Sequence, residues 1–171
     1  MMQTNIVKLE QVLHYIINEV GALPHVGKTV LYKHLYFCDF NYYEIYEDPL
    51  TAEEYIKLPM GPAPVHFDAV IAKLIEEGRI EKIDNDYFGH QQEKYLSLED
   101  PDVSCLEGKE LKVIEDTIKE LRYLNASQIS AFSHEDIPWK ATDEKAVIDY
   151  DLVFYRNDLT SVREDKNETC D

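Results

Sequence analysis

The segment from residue 27 to residue 46 most constrains the fold, because its apolar side chains cover almost the whole circumference of a helix. At helical spacing, one side is aromatic and the neighbouring side carries a mixed apolar row. The two rows are Tyr32, Tyr36, Phe40 and Tyr43, and Leu31, Leu35, Cys38, Tyr42 and Ile45. A helix that is apolar on so many sides normally lies at the centre of a core. We therefore predict a helical domain built around this segment.

The triplet Gly27-Lys28-Thr29 at the start of this helix resembles the end of a phosphate-binding loop. That motif needs a glycine five positions before Gly27, where this chain has Ala22. It also needs a preceding buried strand, whereas the preceding residues have a helical pattern. We therefore predict no nucleotide site. Gly27 and Thr29 help to start the helix, and Lys28 is expected to be solvated.

Three more helices are predicted from apolar residues that recur at intervals of three and four. They cover residues 4–20, 65–77 and 107–124. In the last of them, Glu115 and Lys119 have the spacing of a favourable ion pair along a helix.

A further helix is predicted after residue 124. Asn125 and Gln128 have the residue types and spacing of an N-cap and its capping box. This helix is expected to run to about His134 and to be broken by Pro138. The apolar residues 146–156 are then expected to return to the core as a strand or a short helix.

Two stretches of alternating apolar and polar residues predict a β-hairpin. They cover residues 79–83 and 93–98, and the intervening residues 84–92 are rich in turn formers. A helix followed by a hairpin is the order found in a winged helix.

The segment 48–64 is rich in proline and is predicted to be loop, with a short extended piece around Tyr55. Residues 51–54 also match a capping box, which leaves a brief helical turn open. Together these patterns predict a mainly helical α+β fold in one domain, with five to six helices and a small hairpin, partly like a winged helix. We assign residues 1–156 to this domain and residues 157–171 to a polar, acidic C-terminal tail that is expected to be frayed.

The charge balance favours a protein partner over nucleic acid. The chain has 34 acidic and 17 basic residues, for a net charge of −17. Such a surface repels a phosphate backbone and speeds encounters with a basic partner. The helix at 65–77 carries more acidic than basic residues, so DNA binding is not expected.

The three cysteines, an odd number with no CxxC motif, fit a reducing cytoplasm, and no membrane-spanning run occurs.

No group of residues has the spacing of a catalytic or metal site. None of the six histidines lies in an HExxH motif or at zinc-ligand spacing from a cysteine. Ser133, His134 and Glu135 are consecutive, so they cannot face one another as a triad. We therefore expect no catalytic residue, metal or cofactor.

Three segments in order resemble one known family. They are KTVLYKHLYFCDFNYYEIY, YIKLPMGPAPVHFDAVIAKLIEEGRI and LNASQISAFSHEDIPW. The chain resembles the Panacea domain, also called the SocA-like antitoxin domain, over roughly residues 5 to 155. The positions that match the family pattern are Lys33, Leu35, Tyr36, Phe37, Asp39, Gly61, Pro62, Ser133, His134 and Trp139.

The resemblance implies an antitoxin that binds and blocks a cognate toxin protein, and in one branch of the family the antitoxin also delivers its toxin to a protease. We expect this toxin to be basic. We interpret the matching residues as scaffold rather than as toxin contacts: Tyr36 and Phe37 in the core, Lys33 and Asp39 in an internal polar network. Gly61 and Pro62 would fix a sharp loop, and Trp139 would plug the core with its indole N–H bonded. Toxin contact by these residues stays open, as do a winged-helix DNA-binding regulator and, third, an enzyme.

Overall fold

The computed structural model describes residues 2–163, which form seven helices and two antiparallel hairpins. In chain order the elements are α1 (Ile6–Val20), α2 (Lys28–Tyr46), β1 (Tyr55–Leu58), β2 (Gly61–Pro64), α3 (Phe67–Glu76), β3 (Ile80–Tyr87), β4 (His90–Ser97), α4 (Gly108–Leu121), α5 (Ala126–His134), α6 (Ile137–Lys140) and a C-terminal 3-10 helix (Tyr150–Tyr155). The predicted mainly helical α+β fold is confirmed. None of the helices in this part of the chain combines the length and the apolar character that crossing a bilayer requires.

Helix α2 lies at the centre of the fold, as its apolar circumference predicts. It packs against α1, α4, α5, β2 and the C-terminal 3-10 helix. Its largest fully buried side chains are Tyr36, Tyr42, Phe37, Phe40, Leu31 and Leu35. Phe40 stacks on Tyr36 and on Tyr150, each at 4.3 Å between ring centroids. These aromatic contacts join the middle of the chain to its C-terminal 3-10 helix.

Strands β1 and β2 form a hairpin in the segment that was predicted to be loop. The extended piece around Tyr55 is present, but its pairing with β2 was not predicted, because Pro62 and Pro64 cannot donate to a strand ladder. A bridge between Ile56 and Val147 adds a third extended segment. The helical turn that residues 51–54 left open does not form.

The second hairpin is longer than the sequence indicated. Strands β3 and β4 pair from Ile80 and Ser97 out to Tyr87 and His90, so most of the predicted turn at 84–92 is strand. The turn itself is Phe88-Gly89, with φ of 51° and 81°. The outer halves of β3 and β4 are polar because they are exposed to solvent. They therefore lack the alternation of apolar and polar residues that indicates a strand in the sequence. Helix α3 leads directly into β3, in the predicted order.

The observed helix ends agree closely with those predicted from the sequence. The predicted capping box of α5 is present, with Asn125 and Gln128 bonding each other's backbone N–H at 2.9 Å. A second capping box, of Glu107 with Glu110, begins α4. Pro138 lies in the first turn of α6, a position that tolerates proline because its N–H is not needed there.

Candidate functional site

The family-pattern residues lie on α2, at the start of β2 and on α5 and α6. The structure brings Lys33, Gly61 and Ser133 together at one point. It joins Tyr36 to the loop after α5, and it stacks His134 on Trp139. The contacts of Lys33, Tyr36, Gly61 and Ser133 form one buried layer, and the half-buried pair of His134 and Trp139 lies at its edge. Most residues of the family pattern therefore join distant parts of the chain.

Asp39 holds the loop that leads into β1. Its fully buried carboxylate accepts a hydrogen bond from the Tyr55 hydroxyl at 2.5 Å. It also accepts from the backbone N–H of Thr51 at 2.9 Å and from the Thr51 hydroxyl at 2.8 Å. Burial raises the pKa of Asp39 to about 7, although these hydrogen bonds oppose the rise.

Gly61, the first residue of β2, allows the start of this strand to pack directly on Lys33. Its φ is +128°, a region that residues with a side chain rarely adopt. A Cβ there would lie 2.6 Å from Lys33 Cε and 2.8 Å from Ser133 Oγ. Nearby, the Ser130 hydroxyl donates to the carbonyl of Met60 at 2.6 Å and fixes the turn before β2 to α5.

Lys33 differs from its predicted role. We expected it to share a polar network with Asp39, but it forms no hydrogen bond or ion pair within residues 2–163. The side chain is buried, and this burial lowers the pKa of its ammonium group to about 8. Lys33 therefore supplies its aliphatic stem to the packing against Gly61.

Arg156 is the centre of a buried charged cluster that sequence reasoning missed. Its guanidinium donates twice to Asp136, at 2.8 and 3.0 Å, in a bidentate pair. It also donates to Asn41 and to Glu44, each at 2.9 Å. The Tyr36 hydroxyl donates to Asp136 at 2.6 Å, which ties this cluster to the family pattern. The one sequence signal was a single arginine at the end of the apolar run 146–156.

The segment after the 3-10 helix continues the same cluster. Glu44 accepts hydrogen bonds from the Ser161 hydroxyl, from the Val162 N–H at 3.0 Å and from Arg163 Nε at 2.9 Å. Residues 161–163 are therefore held against α2, where the sequence predicted a frayed tail, whereas residues 157–159 are exposed. The remainder of the predicted tail, 164–171, lies outside the described residues.

His134 and Trp139 form a stacked pair at the edge of the fold. Their rings lie 4.3 Å apart, and the Lys57 ammonium lies 4.1 Å from the Trp139 ring centroid. Both side chains are half-buried. The Trp139 indole N–H, expected to find a partner, has none among residues 2–163.

Lys28 is paired rather than free in solvent, contrary to the prediction. Its ammonium lies 2.9 Å from Asp68 on α3 and 3.8 Å from Glu93 on β4. Helix α2 begins at Lys28 with Gly27 as its N-cap, one residue later than predicted. The Gly27-Lys28-Thr29 triplet thus joins the start of α2 to its neighbours.

Helix α3 is electrostatically unsuited to contact a phosphate backbone. Its exposed side carries Asp68 and Glu76, and its one lysine, Lys73, is paired with Glu10 at 2.7 Å. Glu76 would repel DNA phosphates, and the charges of Lys73 and Asp68 are already compensated by their ion pairs.

An open groove lies between α1 and α4, with a volume of about 460 Å³. The residues that line it are Tyr15, Glu19, Glu115, Ile118, Lys119, Arg122 and Tyr123. Tyr15 donates to Glu115 at 3.0 Å, and the predicted pair of Glu115 with Lys119 is not formed within 4 Å. Tyr123 is 77% exposed, an unusual position for so large an aromatic side chain. The groove contains none of the family-pattern residues.

Comparison with known proteins identifies the family. No matching curated protein and no matching solved structure was found. Residues 31–140, more than half of the chain, match the family described as antitoxin SocA-like, Panacea domain. The match begins within α2 and ends at the last residue of α6, so it covers the buried layer described above apart from Arg156 and the segment that follows. The chain therefore belongs to the SocA-like, Panacea-domain antitoxin family.

Proposed function

We propose that this protein is the antitoxin of a toxin–antitoxin pair and neutralises its cognate toxin by binding it directly. The observation that carries the proposal is the family match over residues 31–140. We infer that the protein acts by occupying the toxin and that its own chain does no chemistry. The cytoplasm, where a toxin is made and acts, is the compartment that fits this role.

The charge of the chain supports a basic toxin. A net charge of −17 accelerates encounters with a positively charged protein and suppresses encounters with nucleic acid. We propose residues 1–156 as the toxin-neutralising domain and residues 157–171 as an acidic extension of it. Handing the toxin to a protease is a further role that the family resemblance suggests.

Burial of the family-pattern residues supports a scaffold role for them. Tyr36, Phe37 and Asp39 are at most 2% exposed, so a toxin cannot reach them without unfolding the domain. The half-buried pair of His134 and Trp139 is accessible in part. We therefore propose that most toxin contacts come from exposed residues outside the family pattern.

The test uses the reading frame next to the gene of this protein. Its product should stop growth when expressed alone, and co-expression of this chain should restore growth. The two purified proteins should form a complex whose association rate falls as salt rises. A toxic neighbour that this chain fails to rescue contradicts the proposal. Tight, salt-sensitive binding of the isolated chain to its own promoter would favour the DNA-binding alternative.

A further inference from the structure

The turn of the second hairpin holds a phenylalanine in a backbone conformation that bulky residues rarely adopt. Phe88 has a φ of 51°, and Gly89 follows it with a φ of 81°. A two-residue turn with positive φ at both positions favours Asn-Gly or Asp-Gly, because asparagine and aspartate tolerate the left-handed region. A phenylalanine is strained there. Strain of this kind is concentrated at functional sites, so Phe88 calls for an explanation other than folding.

Phe88 makes little contact with the rest of the domain. Its side chain is 86% exposed, more than any other large apolar side chain in residues 2–163. Its ring lies against that of the adjacent Tyr87, with 4.7 Å between the centroids. Strand β3 starts at the buried Ile80 and rises about 3.3 Å per residue, which places the turn roughly 26 Å from that end. The aromatic pair therefore projects from the domain.

The outermost part of the hairpin, residues 84–91, carries only negative charge. We call this part the hairpin tip. With histidine counted as neutral at pH 7, its charged residues are Asp84 and Asp86, both exposed. Neither carboxylate forms an ion pair within residues 2–163. Asp84 also lies directly opposite Glu93 on β4, and like charges in this position destabilise a strand pair. The tip thus presents negative charge that does not help the hairpin to fold.

The lysines next to the tip do not offset this charge. Lys82 is paired with Glu93 at 2.8 Å. The ammonium of Lys94 is directed away from the tip: it donates to the Val26 carbonyl at 2.9 Å, and its side chain is buried against the loop between α1 and α2. No lysine or arginine lies between these two positions in the sequence. The tip therefore favours a basic partner over an acidic one.

We propose that the hairpin tip is a contact site for the cognate toxin and that Phe88 enters an apolar pocket with a basic rim on the toxin surface. The ring of Phe88 would be buried in this pocket, and Asp84 and Asp86 would face lysine or arginine side chains at the rim. A second copy of this chain also has a net charge of −17, and a nucleic acid is a polyanion, so both are repelled. This inference rests on the proposed antitoxin function and names one surface that it uses.

The substitution Phe88→Asn should change folding and binding in opposite directions. Asparagine suits the turn, so the melting temperature of the free protein should rise by about 2 °C or more. The same substitution removes the aromatic anchor. The Kd for a purified, inactivated form of the toxin from the adjacent reading frame should therefore rise about tenfold, mainly through faster dissociation.

Two further variants serve as controls for Phe88→Asn. Tyr155 is 73% exposed on the C-terminal 3-10 helix, and Tyr155→Asn should change the Kd less than about twofold. Phe88→Leu keeps an apolar side chain at the turn, so it should bind the toxin more tightly than Phe88→Asn does. Melting temperatures measured without toxin verify that each variant is folded.

The carboxylates of the tip are tested by removing both charges. The double substitution Asp84→Asn and Asp86→Asn should slow association with the toxin about threefold at low salt and flatten the salt dependence of the rate. Asparagine at position 86 keeps an oxygen that accepts from the Gly89 N–H, as Asp86 does at 2.9 Å. The control, Asp143→Asn with Glu144→Gln, removes two exposed charges after α6 and should slow association less than about 1.5-fold.

The outcomes separate this inference from the proposed function. If the wild-type chain neither rescues growth nor binds the toxin, the proposed function is wrong. If it does both and Phe88→Asn binds as well as wild type, the hairpin tip is not the site. A lower melting temperature for Phe88→Asn would show that the ring serves folding, which contradicts the inference. Faster association after removal of the two carboxylates, or self-association of the wild-type chain that Phe88→Asn abolishes, would also contradict it.

Discussion

The substitution Arg156→Met tests whether the buried charged cluster holds the C-terminal part of the chain on α2. Methionine fills a similar volume but removes all four hydrogen bonds that the guanidinium donates to Asp136, Asn41 and Glu44. The side chains of Asp136 and Glu44 that pair with it are 0% exposed, so water cannot replace the lost donors. Two buried carboxylates would then be left without their shared cation.

Breaking one side of a buried ion pair typically costs about 3–5 kcal/mol. Arg156 serves two carboxylates, so we expect the upper half of that range, a large part of the roughly 5–15 kcal/mol that stabilises a domain. Urea denaturation followed by circular dichroism measures the loss. The control is Arg163→Gln, which removes a 47% exposed partner of Glu44 and should cost less than about 1 kcal/mol.

The pH dependence adds a second test. Burial raises the pKa of Glu44, but hydrogen bonds from Ser161, Val162 and Arg156 outweigh burial and hold it below its ordinary value. A carboxyl with a lowered pKa contributes stability that is lost as pH falls through its folded pKa. The deficit of Arg156→Met should therefore shrink below pH 4.5, the ordinary pKa of a glutamate. A loss below about 1 kcal/mol at pH 7, or a deficit that grows on acidification, would refute this account.

Three further perturbations follow from the same layer. Gly61→Ala should cost about 2 kcal/mol or more in urea denaturation, through strain and overlap; Gly89→Ala, also at positive φ but in open space, should cost about 1 kcal/mol. The pKa of Asp39 is about 7 in the folded protein against an ordinary 3.8, so the stability of the wild-type protein should fall as pH rises between these values. Asp39→Asn should remove that fall, and a pH profile of stability that the substitution leaves unchanged would contradict this prediction. A chain ending at residue 156 should stay folded but lose about 1–2 kcal/mol through the missing bonds to Glu44; an equal melting temperature would contradict this.

The helices could be predicted because their signals are local. Helix α2 was expected at 27–46 and begins one residue later, since its apolar spacing and its flanking glycine lie within the segment itself. The N-cap of α5 was equally clear, because Asn125 and Gln128 satisfy each other's backbone three residues apart. Such patterns need no knowledge of the rest of the chain.

The first hairpin could not be predicted because its supports are distant in sequence. Three prolines and an exposed tip give it the composition of a loop. It is held by Asp39, sixteen residues before Tyr55, and by Ser130, seventy residues after Met60. The intrinsic secondary-structure propensity of the hairpin residues indicates neither contact. The charged cluster was missed for the same reason, since Arg156 and Asn41 are 115 residues apart.

The buried layer and the exposed surface of this protein depend on different side chains. The residues of this layer join α2, the first hairpin and α5, and because they are buried, the fold depends on each of them. The groove between α1 and α4 is built from residues outside that pattern, and its lining side chains Glu19, Glu115, Lys119 and Tyr123 are exposed. Substitutions at exposed positions usually change stability by less than about 0.5 kcal/mol. Substitutions of these groove residues should therefore preserve the scaffold, because folding depends on the side chains of the buried layer.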